Sequence, residues 1–185
     1  MPPARENWAE QPLVTAVLIF TCGDHLHSAR ASVKSFLAQD WPHKELLVYN
    51  ATQHSLRPAW WQGSARVREI KLRRQSEAWM LQLCFDNAQG EWCLIWLADC
   101  YYATNYIRYH MQHRDRLQLV QLRRKTAYIL STRQQATIIN DTIPSWSCYC
   151  RRALDFSKNL PEQFAGTRIL DNPAGLLTKF VNALR

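Results

Sequence analysis

The chain has 185 residues, 47% hydrophobic and 21% charged, a globular balance that excludes a disordered protein. Lys and Arg outnumber Asp and Glu by 23 to 15, and the resulting charge of +8 favours anionic partners: nucleotides, phosphorylated substrates, nucleic acid or an anionic membrane surface. The opening MPPARENWAEQP has no apolar run and is unlike a secretory signal, and the longest apolar stretch, Leu13 to Phe20, is far short of the ~20 residues a membrane helix needs.

Leu13 to Phe20 is a β-branched apolar run without alternation, which predicts a strand covered on both faces. Thr21-Cys-Gly-Asp24 follows as a small polar loop, with Asp24 placed to cap a helix. His27 to Ala38 sets Ala29, Val33, Phe36 and Leu37 on one helical face, and Asp40-Trp-Pro42 stops it. Glu45 to Tyr49 is a second strand, ended by Asn50-Ala-Thr-Gln53. Two strands flanking a helix of that length predict a parallel pair with a right-handed crossover, hence an α/β fold.

Pro58 to Gly63 reads as irregular and Arg66 to Leu72 as a third strand whose basic residues form one solvated face. Gln75 to Ala88 predicts a helix with Ala78, Leu81, Phe85 and Ala88 in register and Gly90 as its C-cap. Trp92 to Leu97 predicts a central strand that ends abruptly at Ala98-Asp99-Cys100. Asn105 to His113 reads as helix and Leu117 to Leu122 as strand. Tyr128 to Thr132 and Ala136 to Ile139 suit a hairpin, Trp146 to Cys150 a short strand, and Ala174 to Leu184 a C-terminal helix.

Six cysteines without a CxxC pair argue against zinc and for reduced, mostly buried thiols in a cytoplasmic protein. Ligands in open α/β sheets bind at the carboxyl ends of strands, which directs attention to Thr21–Asp24, Asn50–Gln53 and Ala98–Tyr102. Asp99 would hold a carboxylate at the mouth of the sheet. His110 and His113 follow it, and one of them could serve as an accessory ligand; Trp60-Trp61 suits either packing or stacking on a sugar or base.

Val14 to Asn50, with Ser35-Phe-Leu-Ala-Gln-Asp-Trp-Pro42 and Glu45-Leu-Leu-Val-Tyr49, resembles the family 2 glycosyltransferases, and so does the later Ala88-Gln-Gly-Glu-Trp92 leading to Asp99. The resemblance implies a GT-A-like three-layer sandwich with a mostly parallel central sheet and helices on both faces, filling one domain over residues 1–185 behind a flexible segment at 1–12. It implies an inverting, metal-dependent transferase that moves a sugar from a nucleotide-diphosphate donor to an acceptor hydroxyl. Asp99 would hold Mg²⁺ or Mn²⁺, Thr21 and Asn50 would line the nucleotide pocket, and Asp171 would be the catalytic base. Arg151 or Arg152 would meet phosphate or the acceptor, and the acceptor itself would be a glycan, a lipid-linked sugar or nucleic acid.

The chain departs from the family at Asn50, Leu97, Cys100 and Leu170, where the family carries acids. Two alternatives stay open beside the transferase: a catalytically impaired GT-A-like binding domain, and a protein directed at nucleic acid through its basic run Arg66, Arg68, Lys71, Arg73 and Arg74, either as a modified-base glycosyltransferase or as a binder.

Overall fold

The computed structural model describes residues 11–23, 26–54, 56, 66–98 and 100–114, and beyond them the strand segments 119–122, 124–129, 134–139, 147–150, 167–170 and 177–181. The apolar run at the start forms β1 (Val14–Phe20), buried at every residue but Ile19. After α1 (Leu26–Leu37) the chain returns in β2 (Lys44–Asn50), buried throughout, and the two strands pair in parallel from Val14↔Lys44 to Phe20↔Asn50. β3 (Val67–Lys71) adds in parallel to β2, and after α2 (Glu77–Asn87) the strand β4 (Trp92–Ile95) pairs in parallel on the other side of β1.

The remaining elements are β5 (Cys100–Tyr102), α3 (Tyr106–Gln112), β6 (Leu119–Leu122), β7 (Arg124–Ile129), β8 (Gln134–Ile139), β9 (Ser147–Cys150), β10 (Thr167–Leu170) and β11 (Leu177–Val181). The main sheet has the order β10-β6-β9-β4-β1-β2-β3, and only β9 runs against the other strands. A second sheet has the order β5-β11-β7-β8. β4, the strand carrying the apolar run Trp92-Cys-Leu-Ile95, stands in the middle of the main sheet as its composition predicts.

Strand pleating sorts the core into two layers. Val14, Ala16, Leu18 and Phe20 of β1, with Leu46 and Val48 of β2, pack against Ala29, Val33 and Phe36 of α1 and against Tyr106, Ile107 and Met111 of α3. Val17, Leu47, Tyr49 and Cys93 face the opposite way, against Met80, Cys84, Phe85 and Ala88 of α2. The sheet is therefore sandwiched between helices, with α1 and α3 on one side and α2 on the other. Each large side chain buried in these layers contributes about 1.5–3 kcal/mol relative to exposure.

The ends of the strands away from the loops named above are locked by polar groups. Glu45 accepts from the Thr15 hydroxyl at 2.6 Å, from Gln89 N–H at 2.6 Å and from Arg68 Nη2 at 3.2 Å, and Arg68 also donates to Asn87 O. The predicted solvated face of β3 is thus partly an internal ion pair. Lys44, buried beside them, donates to Gln39 O, and burial followed by Arg66 pushes its pKa down.

Three local expectations are corrected. Gly90 is not the C-cap of α2; Ala88 is, its N–H donating to Phe85 O. Gly90 is needed for close approach instead, because a Cβ there would sit 2.6 Å from Thr15 N and 2.8 Å from Leu13 O. Residues 177–181 of the predicted C-terminal helix are the strand β11, parallel to β7 and antiparallel to β5. Its Thr178, Phe180 and Val181 favour strands, and pairing with two distant partners overrides the helical spacing of the neighbouring leucines. Finally, residues 100–102, read as loop, form β5.

Candidate functional site

From β1 the chain runs outward through β2 and β3, then crosses back to place β4 on the other flank of β1. The direction of winding reverses between β1 and β4, which is where an open α/β sheet opens a crevice at its carboxyl edge. A cleft of about 270 Å³ lies there, near the lower end for ligand pockets. Ile19 and Thr21 line it from the end of β1, and Ile95, Trp96, Leu97 and Ala98 from the end of β4. Met80 and Leu81 of α2 close it, and Arg74 and Gln75 stand where the chain enters α2.

The apolar wall follows from pleating, since Ile19 and Ile95 belong to the α2 layer with Leu81 and Met80. The polar wall follows from how α2 begins. Ser76 is its N-cap, accepting from Trp79 N–H at 3.3 Å, so the two residues before it stay outside the helix. Tyr49 fixes their position by donating its hydroxyl to Arg73 O at 2.6 Å; burial, then Cys84, raises that phenol's pKa. Lys71, Arg73 and Arg74 are exposed along this stretch and make no ion pair among the described residues, so the cleft opens beside a cationic rim.

Thr21 lines the cleft. Asn50 has another occupation. Its Oδ1 accepts from Thr52 N–H at 2.9 Å and the Thr52 hydroxyl at 2.8 Å, and its Nδ2 donates to His54 O at 2.8 Å and Glu69 Oε1 at 2.5 Å. The side chain, 1% exposed, closes the turn after β2. That turn meets the one after β1 so tightly that a Cβ on Gly23 would lie 2.8 Å from the His54 ring.

Asp99 and Asp171 lie outside the described residues, as do Asp24, Trp60, Trp61, Arg151 and Arg152. Their neighbours are informative. Leu97 and Ala98, just before Asp99, line the cleft, while Cys100, just after it, is buried in the α1 layer. Leu170, just before Asp171, ends β10 at the same edge of the sheet as Ile95 ends β4, three strands away. β4 and β10 thus both end on the cleft side of the sheet. His110 and His113 are tied to their own helix, each Nδ1 donating to the carbonyl one turn back, Tyr106 O at 3.0 Å and Tyr109 O at 2.7 Å.

Among the described residues no group of three His, Cys, Asp or Glu side chains stands ready to hold a metal ion. In the sequence Asp99 follows Leu97 and Ala98, two residues of the cleft wall, and precedes the buried Cys100. A single carboxylate can hold Mg²⁺ or Mn²⁺ when substrate phosphates and water supply the remaining ligands. Arg74 is the residue the sequence reading passed over, as one member of a basic run. Its position just past a strand and two residues ahead of a Ser N-cap was the signal for it.

The fold is that of GT-A-like glycosyltransferases. A crystal structure of S. aureus TarS 1–349 in complex with UDP-GlcNAc is similar with a TM-score of 0.71 at 10% identity, over 94% of this chain and 60% of that one. The mannosyltransferase PcManGT from Pyrobaculum calidifontis, in complex with GDP-Man and Mn²⁺, is similar with a TM-score of 0.63 at 13% identity, over 93% of this chain and 58% of that one. The chain therefore spans about three fifths of the length of these structures. No family model matches the sequence, and no curated protein matches it. Among the described residues no helix is long and apolar enough to cross a membrane.

Proposed function

We propose that the chain is a nucleotide-sugar-dependent glycosyltransferase domain, transferring a sugar with inversion from a nucleoside-diphosphate donor to an acceptor hydroxyl. The observation that carries the reading is the cleft between β1 and β4, with apolar walls for a base and ribose and one cation, Arg74, in its lining for phosphates. Similar structures holding UDP-GlcNAc or GDP-Man support it.

In this reading Thr21 and the backbone beside it border the nucleoside, and the Arg74 guanidinium meets the diphosphate through charge-assisted hydrogen bonds. The start of α2 adds a positive dipole end on the same wall. Asp99 holds Mg²⁺ or Mn²⁺, which as a Lewis acid would stabilise charge on the departing diphosphate. Asp171 takes the proton from the acceptor hydroxyl as that oxygen attacks the anomeric carbon from the face opposite the leaving group. Asn50 serves by holding the turn after β2 in place.

The experiment is a thermal-shift panel of UDP, GDP and CDP with Mn²⁺, followed by donor turnover with the nucleotide that protects. Protection lost in Asp99→Asn, with turnover lost in Asp171→Asn, is the expected result; no protection by any of the three sinks the reading. The replacement of acids by Leu97 and Cys100, together with the committed amide of Asn50, favours one second reading, a GT-A-like domain that binds a nucleotide without transferring a sugar. Protection without turnover, with or without acceptor sugars, would single it out.

A further inference from the structure

Among the described residues three large apolar side chains are exposed: Leu72 at 44%, Trp79 at 47% and Tyr101 at 50%. A single exposed leucine means little. Two of the three, however, fall in the short stretch from Lys71 to Trp79, which also carries Arg73 and Arg74, exposed like Lys71. Glu77 is the one acid in that stretch of sequence. Neither Leu72 nor Trp79 belongs to either core layer, and the layer beneath α2 is built by Met80, Cys84, Phe85 and Ala88 without them.

The stretch is pinned rather than loose. Leu72 N–H donates to Asn50 O at 3.3 Å, Arg73 O accepts from the Tyr49 hydroxyl at 2.6 Å, and Ser76 Oγ accepts from Trp79 N–H at 3.3 Å. Its backbone is thus tied to β2 at one end and capped into α2 at the other, while the residues from Lys71 through Ser76 are all exposed. Arg74, from the middle of the stretch, lines the cleft, and so does Met80, the residue after Trp79. The apolar and cationic surface therefore adjoins the mouth of the cleft.

We propose that this stretch is a docking surface for an anionic phospholipid membrane, with Leu72 and Trp79 seated where headgroups meet acyl chains and Lys71 and Arg73 against the lipid phosphates. Charge complementarity points to such a surface: the chain carries +8, and Lys and Arg beside an anionic bilayer are attracted to it while tryptophan favours its interface. Leu72 favours a membrane over nucleic acid. Cations and an indole would serve a nucleic-acid strand equally well, through phosphate contacts and base stacking. An aliphatic side chain has no ring to stack, and it gains most where acyl chains replace water. The proposal stands apart from the transferase reading, because docking requires no nucleotide.

The test is cosedimentation of the full chain with vesicles of equal parts phosphatidylcholine and phosphatidylglycerol, and with vesicles of phosphatidylcholine alone. The wild type should bind the mixed vesicles and not the neutral ones, and added NaCl should weaken that binding. Leu72→Gln and Trp79→Gln should each lower the partition coefficient about tenfold, and Arg73→Gln about fivefold. Lys34→Gln removes the same charge from α1, on the other side of the sheet, and should change it by less than about twofold. All four positions are exposed, and Leu72→Gln alone decides the matter if Trp79→Gln does not fold. No binding to the mixed vesicles, or losses in Leu72→Gln and Trp79→Gln no larger than in Lys34→Gln, overturns the proposal. Binding of a single-stranded oligonucleotide without binding of the mixed vesicles overturns it in favour of a nucleic-acid surface.

Discussion

The Thr15 hydroxyl donates to Glu45 Oε1 at 2.6 Å across the paired residues of β1 and β2, and Thr15 Oγ1 in turn accepts from Gly90 N–H at 2.8 Å. This buried contact joins both parallel strands to the turn that leads into β4. Glu45→Ala would strand three donors, those of Thr15, Gln89 and Arg68. The expected loss is about 2–4 kcal/mol, with the Arg68 share discounted because that side chain is over a third exposed. Glu45→Gln keeps one acceptor oxygen and should lose roughly 1 kcal/mol. Urea midpoints at unchanged m-value measure both.

Gly90→Ala pushes a methyl against two backbone atoms, Thr15 N and Leu13 O, as well as against the Thr15 hydroxyl. Relief requires the start of β1 to move, so the expected cost is about 1–3 kcal/mol. Chemical denaturation checks it. An unchanged midpoint would mean that β1 and the turn before β4 separate more readily than their hydrogen bonds imply.

Burial pushes the Cys84 thiol up from 9.0 to about 12. Between those values the folded chain keeps a proton the unfolded chain has released, so stability falls as pH rises, by at most about 1.4 kcal/mol per pH unit for one such group. Below pH 9 that contribution is fully present. The raised Tyr49 phenol acts in the same direction, whereas Lys44, its pKa lowered, adds stability as pH rises towards the ordinary lysine value. Stability measured from pH 8 to 11 should therefore fall less steeply in Cys84→Ala than in the wild type. In iodoacetamide labelling at pH 8, exposed Cys22 should react in the folded chain and Cys84 and Cys93 only after unfolding.

Arg74 is exposed and makes no ion pair among the described residues, so Arg74→Ala should change stability by less than ~0.5 kcal/mol. Affinity for a nucleoside diphosphate should fall roughly tenfold, and added NaCl should weaken the wild type more than the variant. Calorimetry at two salt concentrations tests this, and equal affinities would move the phosphate elsewhere on the rim.

The first half of the fold was legible because its signals are local. The unbroken apolar run of β1, the 3.6-residue spacing of Ala29, Val33 and Phe36, and the stop at Trp41-Pro42 each report on a few neighbouring residues. β11 was not legible, because what makes residues 177–181 extended is pairing with Tyr101 and Thr126, far away in sequence. Gly90 misled for a related reason: glycine after a helix signals a cap, and its contact with Thr15 exists only once β1 and β4 are side by side. At the site, Thr21 followed from strand-end logic. The hydrogen bonds of Asn50 and the place of Arg74 depend on Glu69, Tyr49 and Ser76, which no motif tied to them.

The position of β4 has a consequence for any shortened form of the chain. Its flank away from β1 is covered by β9, Ser147–Cys150, which arrives only after the β7–β8 hairpin has been made. A fragment ending near residue 114 would retain β1 to β4 and α1 to α3, yet present Trp92–Ile95 as an open, apolar strand edge at what had been the centre of the sheet. Such an edge is a template for pairing with another copy. The fragment should self-associate through it, and a soluble minimal version of this protein must extend at least through Cys150.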